Sequence, residues 1–396
     1  MKYRQVSETR PARNGSRRLF YSGLLLSALS GACLLDSGLD PVTGLPSDGN
    51  RTAFNYSSVS VGGQRSCLLT SGGGVRCWGP GRLGDGLATG SFDPVRVAGG
   101  IPFLEVRISS VQMCGISTND LAFCWGSNSR GGLGVGTTEP SDAPIPVATD
   151  IRFSMIDTRG QSACGVALDG FAHCWGDNRA GELGIASGDT TVLVPAAVAG
   201  GHRFADLARA LDNTCAITLD GELYCWGSRW APEPQLVTTE ASFVAVDGES
   251  HTFCGLTAEG EVWCWGENEY GMFANGEVDE GGQAVYHLTP TRATTELRFS
   301  AIAVGGRHVC GIAVEREDAF CWGSDDTGQL GDGPPRSGDD GIATTPARVR
   351  LSRSFVSIGA GLAHACGVTT EAKAYCWGHL PGDAPGTQAD APAEVG

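Results

Sequence analysis

Fifteen cysteines stand in a chain of 396 residues, and fourteen of them fall into seven close pairs. The pairs are Cys67 with Cys77, Cys114 with Cys124, Cys164 with Cys174, Cys215 with Cys225, Cys254 with Cys264, Cys310 with Cys321, and Cys366 with Cys376. Nine residues separate the members of six pairs, and ten separate Cys310 from Cys321. Thiols spaced in this way could ligate zinc or form disulfides. Zinc takes about four ligands, usually as two close pairs such as C-x2-C. The chain has no C-x2-C, successive pairs lie far apart, and the seven histidines show no fixed spacing that would complete a site. A disulfide needs only two cysteines with facing Cβ atoms. The expectation is seven disulfides, no metal and no cofactor.

The segments that would position these thiols can be read from Cys164–Cys174. Apolar residues flank Asp169-Gly170 on both sides. A hairpin with a three-residue loop and Gly170 in the left-handed region sets Ala167 opposite Phe171. Three pairs outward, Cys164 then faces Cys174 across adjacent antiparallel strands. Asp220-Gly221 and Glu259-Gly260 repeat the turn, and the extra residue before Cys321 predicts a longer turn or a bulge.

The second cysteine of every pair opens a Cys-Trp-Gly, and these begin at 77, 124, 174, 225, 264, 321 and 376. The whole unit recurs with them. It holds a strand-like segment (Phe355–Gly361), the cysteine hairpin, and a glycine-rich loop (Gly176–Gly184). A variable stretch then leads to Pro-x-x-Val, as in Pro94–Val97 and Pro346–Val349. Each unit offers about four short strands and no long helix. Seven such units predict an all-β fold, a seven-bladed β-propeller of four-stranded antiparallel blades with one disulfide per blade. A solenoid would need capping repeats, which the terminal units lack. The chain ends on Pro392–Val395, and this strand is expected to complete the blade begun near Tyr56 and so close the ring.

The residues also carry a family resemblance. Gly305–Cys310 and Gly361–Cys366 read Gly-x-x-His-x-Cys, while Asn128–Gly134 and Asn178–Gly184 read Asn-x-x-Gly-x-Leu-Gly. With Cys-Trp-Gly between them, the unit resembles the regulator of chromosome condensation repeat over residues 56–396. The resemblance implies a seven-bladed propeller and a structural role for His308 and His364. The glycine loop is degenerate in three units: the first (Pro80–Gly84), the fourth (Ser228-Arg229-Trp230-Ala231-Pro232) and the last (His379–Gly382).

Residues 1–32 read as an export segment, with a basic start, an apolar run at 21–32 too short to span a bilayer, and small residues before Cys33. Ser16-Arg17-Arg18-Leu19-Phe20 resembles a twin-arginine signal. Cys33 resembles a bacterial lipoprotein cleavage and lipidation site, although Ser30 stands where such sites carry Leu or Val. Residues 33–55 are rich in Gly, Pro, Asp and Ser and read as a flexible tether. The expected location is the envelope of a bacterial cell or its exterior, an oxidising place that suits disulfides. The net charge of −16 argues against nucleic acid, and against contact with anionic membrane except through a lipid on Cys33.

No catalytic constellation stands out: the chain has no Gly-x-Ser-x-Gly and no His-Glu-x-x-His. The acidic pairs Asp325-Asp326 and Asp339-Asp340 read as solvated loop charges. Residues present in every unit build the scaffold, so function is expected where the units differ. The binding candidates are Trp230 in the fourth unit, Tyr270 and Phe273 in the fifth, and Tyr286 and His287 in that unit's insertion at 276–289. The expected function is an exported, monomeric binding or scaffold module, not an enzyme, that recognises a protein through its inter-blade loops. Two alternatives are inhibition of an extracellular enzyme, as in a secreted β-lactamase inhibitor of the same repeat fold, and a polysaccharide-acting propeller enzyme. The nucleotide exchange known for the family's namesake fits poorly with export, disulfides and acidity.

Overall fold

The computed structural model describes residues 55–279, 285–334, 341–380 and 389–395. The export segment, Cys33, all of the tether before Asn55, and Asp339-Asp340 lie outside them. Seven antiparallel sheets follow one another along the described chain, each formed by four consecutive strands. They make blades 1 to 7 at 56–96, 103–146, 153–197, 204–236, 243–292, 299–348 and 355–395. Inner strands of successive blades touch one another around the ring, and the last touches the first.

Blade 3 shows why the sequence folds this way. Its strands are Phe153–Arg159, Ser162–Ala167, Ala172–Asp177 and Thr191–Ala197. The second strand is buried at every position, so it alternates nothing and reads as a run of small and apolar residues. Gly165 is needed there because a Cβ would sit 2.6 Å from the Phe153 ring. At the tip, Gly170 N donates to Ala167 O (2.9 Å) with Gly170 at φ 90°, the expected turn.

The same register sets one disulfide in every blade. Cys164 faces Cys174 and is bonded to it in blade 3. Cys67 is bonded to Cys77 in blade 1, Cys114 to Cys124 in blade 2, and Cys215 to Cys225 in blade 4. Cys254 is bonded to Cys264 in blade 5, Cys310 to Cys321 in blade 6, and Cys366 to Cys376 in blade 7. The Cα atoms of each pair lie 4.0–4.1 Å apart. The extra residue of blade 6 lengthens the turn and places Glu317 at φ 55°.

One expectation is corrected. Ala389–Val395 does not join the blade that begins at Tyr56; Tyr375 faces Glu394 and Cys376 faces Ala393, so the strand completes blade 7. The Pro-x-x-Val segment is the outer strand of its own unit, and no strand is exchanged. The ring closes laterally instead. Val59 N donates to Ser357 Oγ (3.2 Å), Leu362 N to Gly63 O (3.0 Å), and Ser66 Oγ lies 2.9 Å from His364 Nε2. Tyr56, Val59, Val61 and Trp78 of blade 1 pack with Cys366 and Val368 of blade 7.

The glycine loop joins one blade to the next. Asn178 braces its own loop: Nδ2 donates to Asp189 O (2.8 Å) and Oδ1 accepts from Leu183 N (3.1 Å). Leu183 and Trp226 of the next blade are buried in one cluster, and the indole Nε1 donates to Glu182 O (3.1 Å). Trp175, Trp322 and Trp377 make the same bond to Gly132, Met272 and Gln329, each the residue before the loop's apolar anchor. Asp325 performs the asparagine's task in blade 6, accepting from Leu330 N (3.2 Å), and it is buried. Of the pair read as solvated, only Asp326 is exposed.

Candidate functional site

Two faces follow from the strand order. The turns between inner and second strands and the loops after Cys-Trp-Gly share one face, here the loop face. The cysteine hairpin turns and the connections between blades share the other, the turn face. The disulfides belong to neither. Cys77, Cys124, Cys225 and Cys264, like the other paired cysteines, are buried inside their blades and hold the scaffold together.

On the loop face, the junction of blades 4 and 5 departs from the rule. Blade 4 has no Asn-x-x-Gly-x-Leu-Gly; among the described residues Trp265 Nε1 of blade 5, like Trp125 Nε1 of blade 2, has no hydrogen-bond partner. The shortened loop turns back early: Gly227 N donates to Ala231 O (2.9 Å) and Arg229 N to Asn213 Oδ1 (2.9 Å). Phe253 fills the inner part of the space and stacks on Trp265 with ring centroids 5.8 Å apart. Trp230, half-buried, stands edge-on to Phe253 at 6.5 Å and to Tyr286 at 5.7 Å. The Arg229 guanidinium lies 4.8 Å from the Tyr286 ring centre and 3.8 Å from Glu267. Aromatic pairs and cation–π contacts of this kind hold rings in fixed orientations at a surface. Burial pushes the Tyr286 phenol well above its usual range, with Arg229 opposing, and its hydroxyl has no hydrogen-bond partner among the described residues.

The other predicted residues divide. Phe273 is not a surface residue: it occupies the loop's leucine position, is buried in the core with Trp322, and its N–H donates to Asn268 Oδ1 (2.9 Å). An aromatic residue at an apolar anchor position was mistaken for a display residue. His287 leans on Phe273 at 5.3 Å and lies 3.1 Å from Asp279 Oδ1, pinning the insertion to its blade. Tyr270 lies one junction away, half-buried, with the Arg307 guanidinium 4.8 Å from its ring centre. Thus Trp230 and Tyr286 come together, Phe273 and His287 pair beneath the insertion, and Tyr270 stands apart. Arg229, Phe253 and Glu267 were missed. Phe253 carried a signal, because the residue before the first cysteine is Ser66, Met113, Ala163, Thr214, Val309 or Ala365 in the other units.

Charged groups also converge on the inner strands. Arg159 of blade 3 reaches past blade 4, with Nε donating to Gly248 O (2.9 Å) and lying 3.5 Å from Glu249. Asp247 lies 3.9 Å away, and Nη1 donates to Ile108 O of blade 2 (2.9 Å). Burial would lower the Arg159 pKa, but Glu249, Asp157 and Asp247 outweigh it and hold the guanidinium charged. Asp157 and Asp247 further accept Arg209 N and Val304 N from the next blades, both at 2.8 Å. These groups tie the inner strands of blades 2 to 6 to one another.

Comparison with known proteins agrees with this architecture. The family model "Regulator of chromosome condensation (RCC1) repeat" matches residues 56–82 and 244–271, and a second model of the same description matches 259–312 and 318–368. Those segments of the chain carry the regulator of chromosome condensation repeat. This repeat propeller is 27% identical over 197 residues to the ultraviolet-B receptor UVR8 of Arabidopsis thaliana; the match spans 45% of the chain and 42% of the receptor. Yeast Prp20p (Saccharomyces cerevisiae) superposes with a TM-score of 0.71 at 18% identity, covering 83% of this chain and 87% of Prp20p. Human WBSCR16 gives 0.68 at 18% identity, covering 80% and 88%. At such identities the likeness speaks for the fold.

Proposed function

We propose that this protein is an exported, monomeric protein-binding module, lipid-anchored at Cys33, that captures its partner on the loop face at the junction of blades 4 and 5. The observation that carries the reading is the Trp230–Tyr286–Arg229 cluster, which reaches solvent at the junction where blade 4 lacks the glycine loop. Half-exposed aromatics and arginine on a rigid frame are the residue types that dominate protein interfaces. Seven disulfides agree with an oxidising compartment. Among relatives of the fold, Prp20p is described by its binding to Gsp1p and histones, which are proteins.

The test is capture from envelope extract by immobilised residues 56–396 and by a Trp230→Ala/Tyr286→Ala variant with intact disulfides. A partner held by the native domain and released by the variant is the expected result; equal capture places the site elsewhere. Anchoring is tested separately. Labelled fatty acid should enter the full chain and not Cys33→Ala, and equal labelling removes the anchor from the reading.

A further inference from the structure

The turn face is as uneven as the loop face, in a different way. In blades 3, 4 and 6 the residue that opens the cysteine hairpin turn is Leu168, Leu219 or Val314, exposed by 54%, 64% and 54%. Only its backbone serves the fold, donating to the carbonyls of Arg152, Arg203 and Arg298 (3.2 Å or less). Val244, at the start of the inner strand of blade 5, is exposed by 55% on the same face. The hairpin itself does not require these side chains. Blades 1, 2 and 7 build the same turn with Ser71, Thr118 and Thr370 at this position.

A carboxylate follows each aliphatic directly: Asp169, Asp220 and Glu315, with Glu259 at the matching place in blade 5. Glu222 and Glu317 lie in the same turns. All six are exposed, and none has an ion pair among the described residues. Glu261 and Asp318 are instead matched by Arg292, Arg298 and Arg348. Three cations share the arc: Arg152 donates to Asn119 O, Arg203 lies 5.2 Å from the Phe171 ring centre, and Arg316 stands between Glu315 and Glu317. Six carboxylates therefore face three guanidiniums, two of which are already engaged.

We propose that the turn face across blades 3 to 6 is a second docking surface, and that its occupant is a cationic amphipathic polypeptide segment, with lysine or arginine interleaved with aliphatic side chains. Aliphatics alternating with unpaired carboxylates on an arc of rigid turns complement a segment with the opposite charge and the same alternation. A membrane is the poorer occupant, because the acidic turn residues would meet an anionic headgroup layer first. This inference does not depend on the loop-face reading, since the two surfaces lie on opposite faces.

The test uses residues 56–396 and a labelled 14-residue peptide alternating Lys and Leu, with fluorescence anisotropy as the readout. The native domain should bind the peptide several-fold more tightly at 50 mM than at 300 mM salt. Leu168→Ser/Leu219→Ser/Val314→Thr should weaken binding roughly tenfold, as should Asp169→Asn/Asp220→Asn/Glu259→Gln. The first set keeps the turn, because blades 1, 2 and 7 carry Ser71, Thr118 and Thr370 at that position; the second keeps the side-chain oxygen with which Asp169 accepts from Phe171 N. Trp230→Ala/Tyr286→Ala should bind the peptide like the native domain, whatever it does to the loop-face partner. Unchanged affinity in either turn variant overturns the proposal. So does equal binding of an oligolysine of the same charge, which needs no apolar contact, or preferential binding of the domain to vesicles of phosphatidylcholine with phosphatidylglycerol.

Discussion

The junction of blades 3 and 4 and the junction of blades 4 and 5 solve one packing problem in two ways. At the first, Asn178 braces a loop whose Leu183 is buried against Trp226, and the indole is hydrogen-bonded to Glu182 O. At the second the loop is shortened and has no such leucine, and Phe253 and Trp230 pack beside Trp265 instead. The repeat's glycine loop is therefore a lock between neighbours as well as a connection. In blade 4, where it is absent, part of the replacement, the Trp230 side chain, reaches solvent. That overflow is the candidate site, so scaffold and recognition share residues here.

The comparison can be strained from its strongest point downward. Trp226→Ala should cost about 3–5 kcal/mol, as expected for a fully buried tryptophan, measured by denaturant unfolding. A loss near 1 kcal/mol would mean that the lock contributes little.

A pH dependence follows from His308 and His364, both buried at junctions of blades 6, 7 and 1. Burial, then repulsion from His364, lowers His308 to about 3; burial, then His379, lowers His364 to about 4. The unfolded chain takes up these protons near pH 6.5, while the folded chain refuses them until the lower values. Stability should thus fall as pH drops from about 6.5 towards 4, on the order of a few kcal/mol in all. A His308→Gln/His364→Gln variant should show a visibly flatter profile between pH 7.5 and 4.5; superimposable profiles would assign the acid sensitivity to other groups.

Asn178→Ala removes the brace of the regular junction and should cost about 1–2 kcal/mol, more than any single polar change in the loop of blade 4. Trp230→Ala, only half-buried, should cost about 1 kcal/mol while abolishing partner capture. A cost equal to that of Trp226→Ala would make Trp230 a core residue and nothing more. Smallest of all, Tyr286→Phe deletes a hydroxyl without a partner among the described residues and should leave stability within about 0.5 kcal/mol of native.

Much of this was legible from the chain. The pairing of Cys164 with Cys174 follows from a symmetric hairpin, and the seven blades follow from the spacing of Cys-Trp-Gly, because both are local patterns repeated in phase. The three degenerate loops were visible too, but their consequence was not. That a missing leucine in blade 4 is answered by Phe253 in blade 5 depends on contact between units, which no pattern within one unit reports. Phe273 was misread for the same reason: a phenylalanine at a loop anchor looks the same on paper whether it faces solvent or the tryptophan of the next blade.

Local chemistry determined the strands, the turns, the disulfides and the number of blades, since each of these is closed within about fifty residues of chain. The tertiary structure alone decided how the ring closes, which aromatic residues are buried, and which of the two faces carries aromatic or acidic–aliphatic side chains. Those features arise between blades, where the burial of a side chain is set by a neighbour that the sequence places elsewhere.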